Sequence, residues 1–109
     1  MSWLPHLCNV LGGALLANAV PHMVSGMTGR PFQTPFAKPP GQGLSSSAVN
    51  VLWGSFNIIV GYVLICCLGD FDLRKPGDVL LCGAGALVVA LFCARHFGRL
   101  HGGNAPEHP

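Results

Sequence analysis

The chain has 109 residues, 50% of them hydrophobic and only 9% charged, against about 25% charged in an ordinary soluble domain. Six basic and four acidic side chains cannot solvate the surface of a soluble fold, and a net charge of +2, scattered along the chain, excludes the concentrated basic face that nucleic-acid binding requires. All ten charges fall outside three apolar stretches or at their edges. A spanning helix needs about 20 apolar residues, so the expectation is an all-α, three-transmembrane-helix bundle forming a single integral membrane domain over residues 1–109.

The first apolar segment covers residues 3–24 and is the least apolar of the three, carrying His6, Asn9, Asn18, Pro21 and His22. Residues 1–16 contain no Lys or Arg, so the basic start of a secretion signal is missing and a retained helix is expected. Pro21 has no amide hydrogen, which predicts a kink or an early end near Asn18.

Residues 28–45 read TGRPFQTPFAKPPGQGLS. Pro31, Pro35, Pro39 and Pro40 forbid a helix and favour extended, polyproline-like backbone. Phe32 and Phe36 supply apolar anchors beside Arg30 and Lys38, so this first loop is expected to be ordered. Those four residues are candidates for contact with lipid or with a partner subunit.

The second segment covers residues 46–68. Ser45, Ser46 or Ser47 can cap its start, and Gly69 is placed to end it. Asn50, Gly54, Asn57 and Gly61, spaced 4, 3 and 4, fall within about 60° of one another on a helix. Ser47 extends the stripe. Small residues let helices approach in a membrane, and Asn amides seek partners across the interface, so this is a predicted packing seam. An alternative is that Asn50 and Asn57 line a polar passage, which three helices could enclose only as an oligomer.

The third segment covers residues 78–97, with Pro76 suited to its first turn and Asp78 to its positive end. Cys82, Ala86, Ala90 and Cys93, spaced 4, 4 and 3, form a second predicted seam. It is expected to face the first seam, or to face segment one through Gly12 and Gly13. Residues 99–109 are small, polar and rich in Gly and Pro, a tail expected to fray. Four basic residues flank the first loop and the tail and two lie in the second loop. This places the N-terminus outside and the C-terminus in the cytoplasm.

Little chemistry is visible. The five cysteines show no CxxC spacing and read as packing residues. No Asp or Glu lies within a span, against a proton-coupled exporter, and no nucleophile triad or phosphate cradle occurs. No enzyme activity and no cofactor are expected. His22 and His96, at similar depth on two helices, are the residues that could ligate a haem iron or another metal.

Several short runs carry a resemblance: Asn18-Ala19-Val20-Pro21-His22, Gly29-Arg30-Pro31-Phe32, Thr34-Pro35-Phe36, Pro39-Pro40-Gly41, Gly43-Leu44-Ser45-Ser46 and Asn50-Val51-Leu52-Trp53-Gly54. Through these, residues 18–61 resemble an uncharacterised family of small bacterial multi-pass inner-membrane proteins. The resemblance implies a bacterial inner membrane and no mechanism. The expected function is that of an accessory subunit packed against a larger membrane complex, such as a respiratory or other electron-transfer assembly. The alternatives are a homo-oligomeric carrier or channel for a small solute and a haem-binding protein.

Overall fold

The computed structural model describes residues 3–106. It is an all-α bundle of three long helices with a short two-stranded ladder in the first loop. The order is α1 (Trp3–Met27), β1 (Phe32–Gln33), β2 (Leu44–Ser45), α2 (Ser47–Tyr62) and α3 (Pro76–His101), with Val63–Leu68 prolonging α2 as a π-helical turn. Counting that extension, the helices have 25, 22 and 26 residues and are long and apolar enough to cross a membrane. At 1.5 Å per residue even the shortest is about 33 Å long, enough for a hydrocarbon core of about 30 Å.

Helix ends follow local chemistry, not always at the predicted residue. Pro21 neither ends nor shortens α1, which runs on to Met27. Membrane helices tolerate an internal Pro when neighbouring helices support the freed backbone. Ser46 caps α2, its side chain accepting from the Val49 amide at 3.2 Å. Gly69 follows the π turn with ordinary right-handed dihedrals, and the left-handed position falls on Asp70. Pro76 opens α3, and the buried Asp78 carboxylate accepts from the Asp72 amide at 3.0 Å. α3 passes the predicted end at residue 97 and stops at Gly102, whose φ of 83° suits a residue without Cβ. Arg99, Leu100 and His101 are therefore helical and not part of a frayed tail. Residues 107–109 of that predicted tail lie outside the described residues.

α1 is the central element. Both α2 and α3 pack along it and scarcely touch each other, so the two predicted seams do not meet: each lies against α1. Glycines allow the contact. A Cβ on Gly13 would strike the Cys82 carbonyl, and one on Gly85 the Val10 carbonyl. Across the other interface a Cβ on Gly54 would lie 2.7 Å from Met23 Sδ, and one on Gly61 3.1 Å from the Gly12 carbonyl. The first loop closes one end of the bundle, with Phe32 paired to Ser45 and Gln33 to Leu44 in an antiparallel ladder. It is thus a short hairpin with turns, not a continuous polyproline strand.

The interior is polar and the exterior apolar. Fully buried side chains include Asn9, Thr34, Asn50 and Asn57, whereas Leu52, Leu80 and Val88 are 66–71% exposed. In water this distribution would be unstable, since apolar surface costs about 25 cal/mol per Å². In lipid it is the expected arrangement, because hydrocarbon solvates leucine and leaves polar groups to find one another.

One prediction concerns the α1–α3 contact. Gly85→Val should lower stability in detergent by about 1–3 kcal/mol or more through backbone overlap. Gly83→Ala, at an exposed position where a Cβ meets nothing, should leave the melting temperature unchanged or slightly raised.

A candidate polar site under the first loop

Asn18 and His22 stand one turn apart on α1, and Asn50 and Asn57 two turns apart on α2. The pairs meet: His22 Nδ1 lies 2.8 Å from Asn50 Oδ1, and Asn18 Nδ2 donates to Asn57 Oδ1 at 3.2 Å. Asn57 Nδ2 donates to the Trp53 carbonyl at 2.8 Å, and the Cys93 thiol contacts Asn18 Oδ1 at 3.7 Å. This network runs from α3 through α1 to α2.

Asn50 joins the loop to the helices. Its Nδ2 donates toward the carbonyls of Phe32, Ser45 and Ser46 at 3.0–3.2 Å. Only the NH₂ end of an amide can serve carbonyls, so the oxygen end must face His22, and His22 must donate from Nδ1. One side chain thus ties together α1, both strands and the start of α2.

Aromatic rings pack round this centre. His22 is edge-on to Phe32, Trp53 and Phe97, at centroid distances of 5.5, 6.4 and 6.2 Å. Phe32 stacks on His101 at 5.6 Å, and Phe36 meets Trp53 edge-on at 5.0 Å. His101 Nε2 reaches Gln33 Oε1 at 2.9 Å. The loop therefore bridges α2 and α3 where those helices do not meet.

The second histidine of the predicted pair, His96, is otherwise committed. Its Nε2 lies 2.6 Å from the Gly41 carbonyl, so Nε2 carries the proton, and its Nδ1 accepts from Arg99 Nη2 at 3.4 Å. His22 and His96 do line one chamber of about 240 Å³. That is smaller than the roughly 300–1,000 Å³ of drug-sized pockets, and His96 has no ring nitrogen to spare. The geometry does not fit a haem held between the two. Among the described residues no cluster of three or more His, Cys, Asp or Glu is placed to hold a metal.

The remaining predicted residues fall in distinct places. Asn50, Gly54, Asn57 and Gly61 are buried and Ser47 partly so, all on the α1 side of α2. Asn50 and Asn57 are satisfied internally and face no open passage. On α3, Cys93 is buried and Cys82 and Ala86 partly buried, but Ala90 is exposed and leaves the seam. Two successive steps of four rotate a position by about 80° on a helix of 3.6 residues per turn, so Ala90 drifts outward while Gly85 is buried in the contact with α1. Arg30, Phe36 and Lys38 are exposed, whereas Phe32 is partly buried and packs against Phe97. Thr34, Gln33, Trp53, Phe97 and His101 were not singled out from the sequence. Only Trp53, one turn from Asn50 and Asn57, carried a spacing that could have marked it.

Asn9 lies about two and a half turns from Asn18, on the opposite side of α1. It is 0% exposed, and neither of its amide atoms has a hydrogen-bond partner among the described residues.

Asn50→Ala should cost about 2–4 kcal/mol, because it strands His22 Nδ1 and loop carbonyls, and should expose residues 28–45 to protease in detergent. Asn57→Ala should cost only about 1 kcal/mol and spare the loop. Asn9→Leu should raise the unfolding free energy by about 1–3 kcal/mol, since an unpaired buried amide is replaced by an apolar side chain of the same branching. No family model, curated protein or solved structure matches the chain.

Proposed function

We propose that this chain is a small accessory subunit of a larger membrane-protein complex in a bacterial inner membrane, an electron-transfer assembly being the kind of complex in view. The observation that carries the reading is the uncovered outer face of α3. Gly83, Ala90 and Ala94 are exposed there, with Ala90 and Ala94 bordering a groove beside Val20 and Val24 of α1. Gly83, Leu87, Ala90 and Ala94 are spaced 4, 3 and 4, which puts them on one stripe. Three of the four are small, which suits the close approach of another helix, whereas a face meant only for lipid gains nothing from them.

Two further features agree. The polar side chains within α1 and α2 are largely spent on holding the bundle together. Arg30 and Lys38 are exposed at the loop end, where lipid phosphate or a partner's acidic groups would meet them. Arg30 and Lys38 of the first loop, with Arg95 and Arg99 at the end of α3, favour an N-terminus outside and a C-terminus in the cytoplasm.

Purification of the tagged chain from its membrane in mild detergent tests the reading. A stoichiometric partner is expected, its recovery falling at least tenfold in Ala90→Phe while Leu52→Phe, on another exposed face, has no effect. A monomer with no partner, or a homo-oligomer unaffected by Ala90→Phe, overturns it.

A further inference from the structure

His22 lines the chamber beneath the loop and keeps one ring nitrogen without a partner among the described residues. Because Nδ1 must donate to Asn50 Oδ1, the remaining nitrogen of the uncharged ring, Nε2, is a lone-pair acceptor. Nε2 has no partner among the described residues, and it is not sealed off as the Asn9 amide and the Trp53 indole nitrogen are. The side chain is 3% exposed, and the chamber it lines is the space under the first loop.

The rest of the lining narrows the class of occupant. His96 is engaged through both nitrogens, Thr34 holds Ser45 and the Phe36 amide, and Asn18 is used by Asn57 and Cys93. Besides Nε2, only the Gln33 amide nitrogen has no partner among the described residues, its oxygen being held by His101. Phe92, Phe97 and Pro35 supply apolar wall. A space of about 240 Å³ holds several waters, yet each water wants two to four polar partners, and these walls offer few. A metal ion wants several donors, and the lining contains no carboxylate or thiol. A flat apolar body carrying one hydroxyl satisfies both the walls and the acceptor. Phe92 and Pro35 are exposed, so the chamber opens near the loop end of the bundle, at the depth where amphipathic rings collect in a bilayer.

We propose that this chamber binds the hydroxylated ring of a lipid-soluble phenol or quinol, with the hydroxyl donated to His22 Nε2 and the ring against Phe92 and Phe97. The site is independent of the partner-facing stripe on α3 and stands whether or not that stripe binds a subunit.

Phenol and toluene, alike in shape and differing in the hydroxyl, are the probes. Nitrogen NMR of histidine-labelled protein in nanodiscs should show one unprotonated, unbonded Nε2 that shifts on titration with phenol and stays in place with toluene. Phenol should bind about fivefold more tightly than toluene, the worth of one net hydrogen bond. His22→Phe should abolish that preference. Because it also unpairs Asn50 and could disturb folding, Phe92→Ala provides a second variant on an exposed side chain, expected to weaken phenol binding at least threefold with an unchanged melting temperature. Equal affinity for the two probes, an unmoved His22 signal, or binding that survives Phe92→Ala intact would each overturn the proposal.

Discussion

The Asn50 side chain is the interaction on which the organised end of this protein depends. Its NH₂ group serves the loop backbone on both strands and the start of α2, and its oxygen fixes the ring of His22 on α1. A single amide can do this because it carries donors and an acceptor at opposite ends. Each of these bonds would be weak in water. In a bilayer the competing solvent is absent from the spans, and the alternative to making them is a stranded polar group.

The second constraint is steric. α1 holds both other helices, and its contacts at Gly13 with Cys82 and at Val10 with Gly85 bring backbone against backbone. With leucine solvated as well by lipid as by protein, close approach and internal hydrogen bonds hold such helices together, not apolar burial. The same physics explains why, among the described residues, the buried apolar side chains are Cys8, Ala19 and Cys93, while large ones such as Leu80 and Val88 face outward. α1 is buried on different sides at its two ends, with Asn9 sealed on one and His22 on the other. No single stripe along α1 records its role.

These constraints leave the molecule with two unused resources. One is the exposed stripe of α3 that carries Gly83, Ala90 and Ala94, which no other described helix covers. The other is the free nitrogen of His22, held in its tautomer by the same bond that docks the loop. The two lie in separate recesses of the bundle, one bordered by Ala90 and Ala94 and the other by His22.

The three spans were legible from the sequence because length and hydropathy are local properties of a segment, and lipid acts on each segment separately. The Asn50–Gly54–Asn57–Gly61 stripe was legible for a similar reason, since helical spacing alone places four residues on one side. The placement of α1 between the others, the outward turn of Ala90 and the inward turn of Phe32 were decided only by tertiary structure. So was the division of labour between the histidines: His22 is fixed by a residue 28 positions away and His96 by a carbonyl 55 positions away. Composition and periodicity describe which side chains share a helix face. Which face meets which neighbour, and which nitrogen keeps its lone pair, follow from contacts that exist only once the helices and loop have come together.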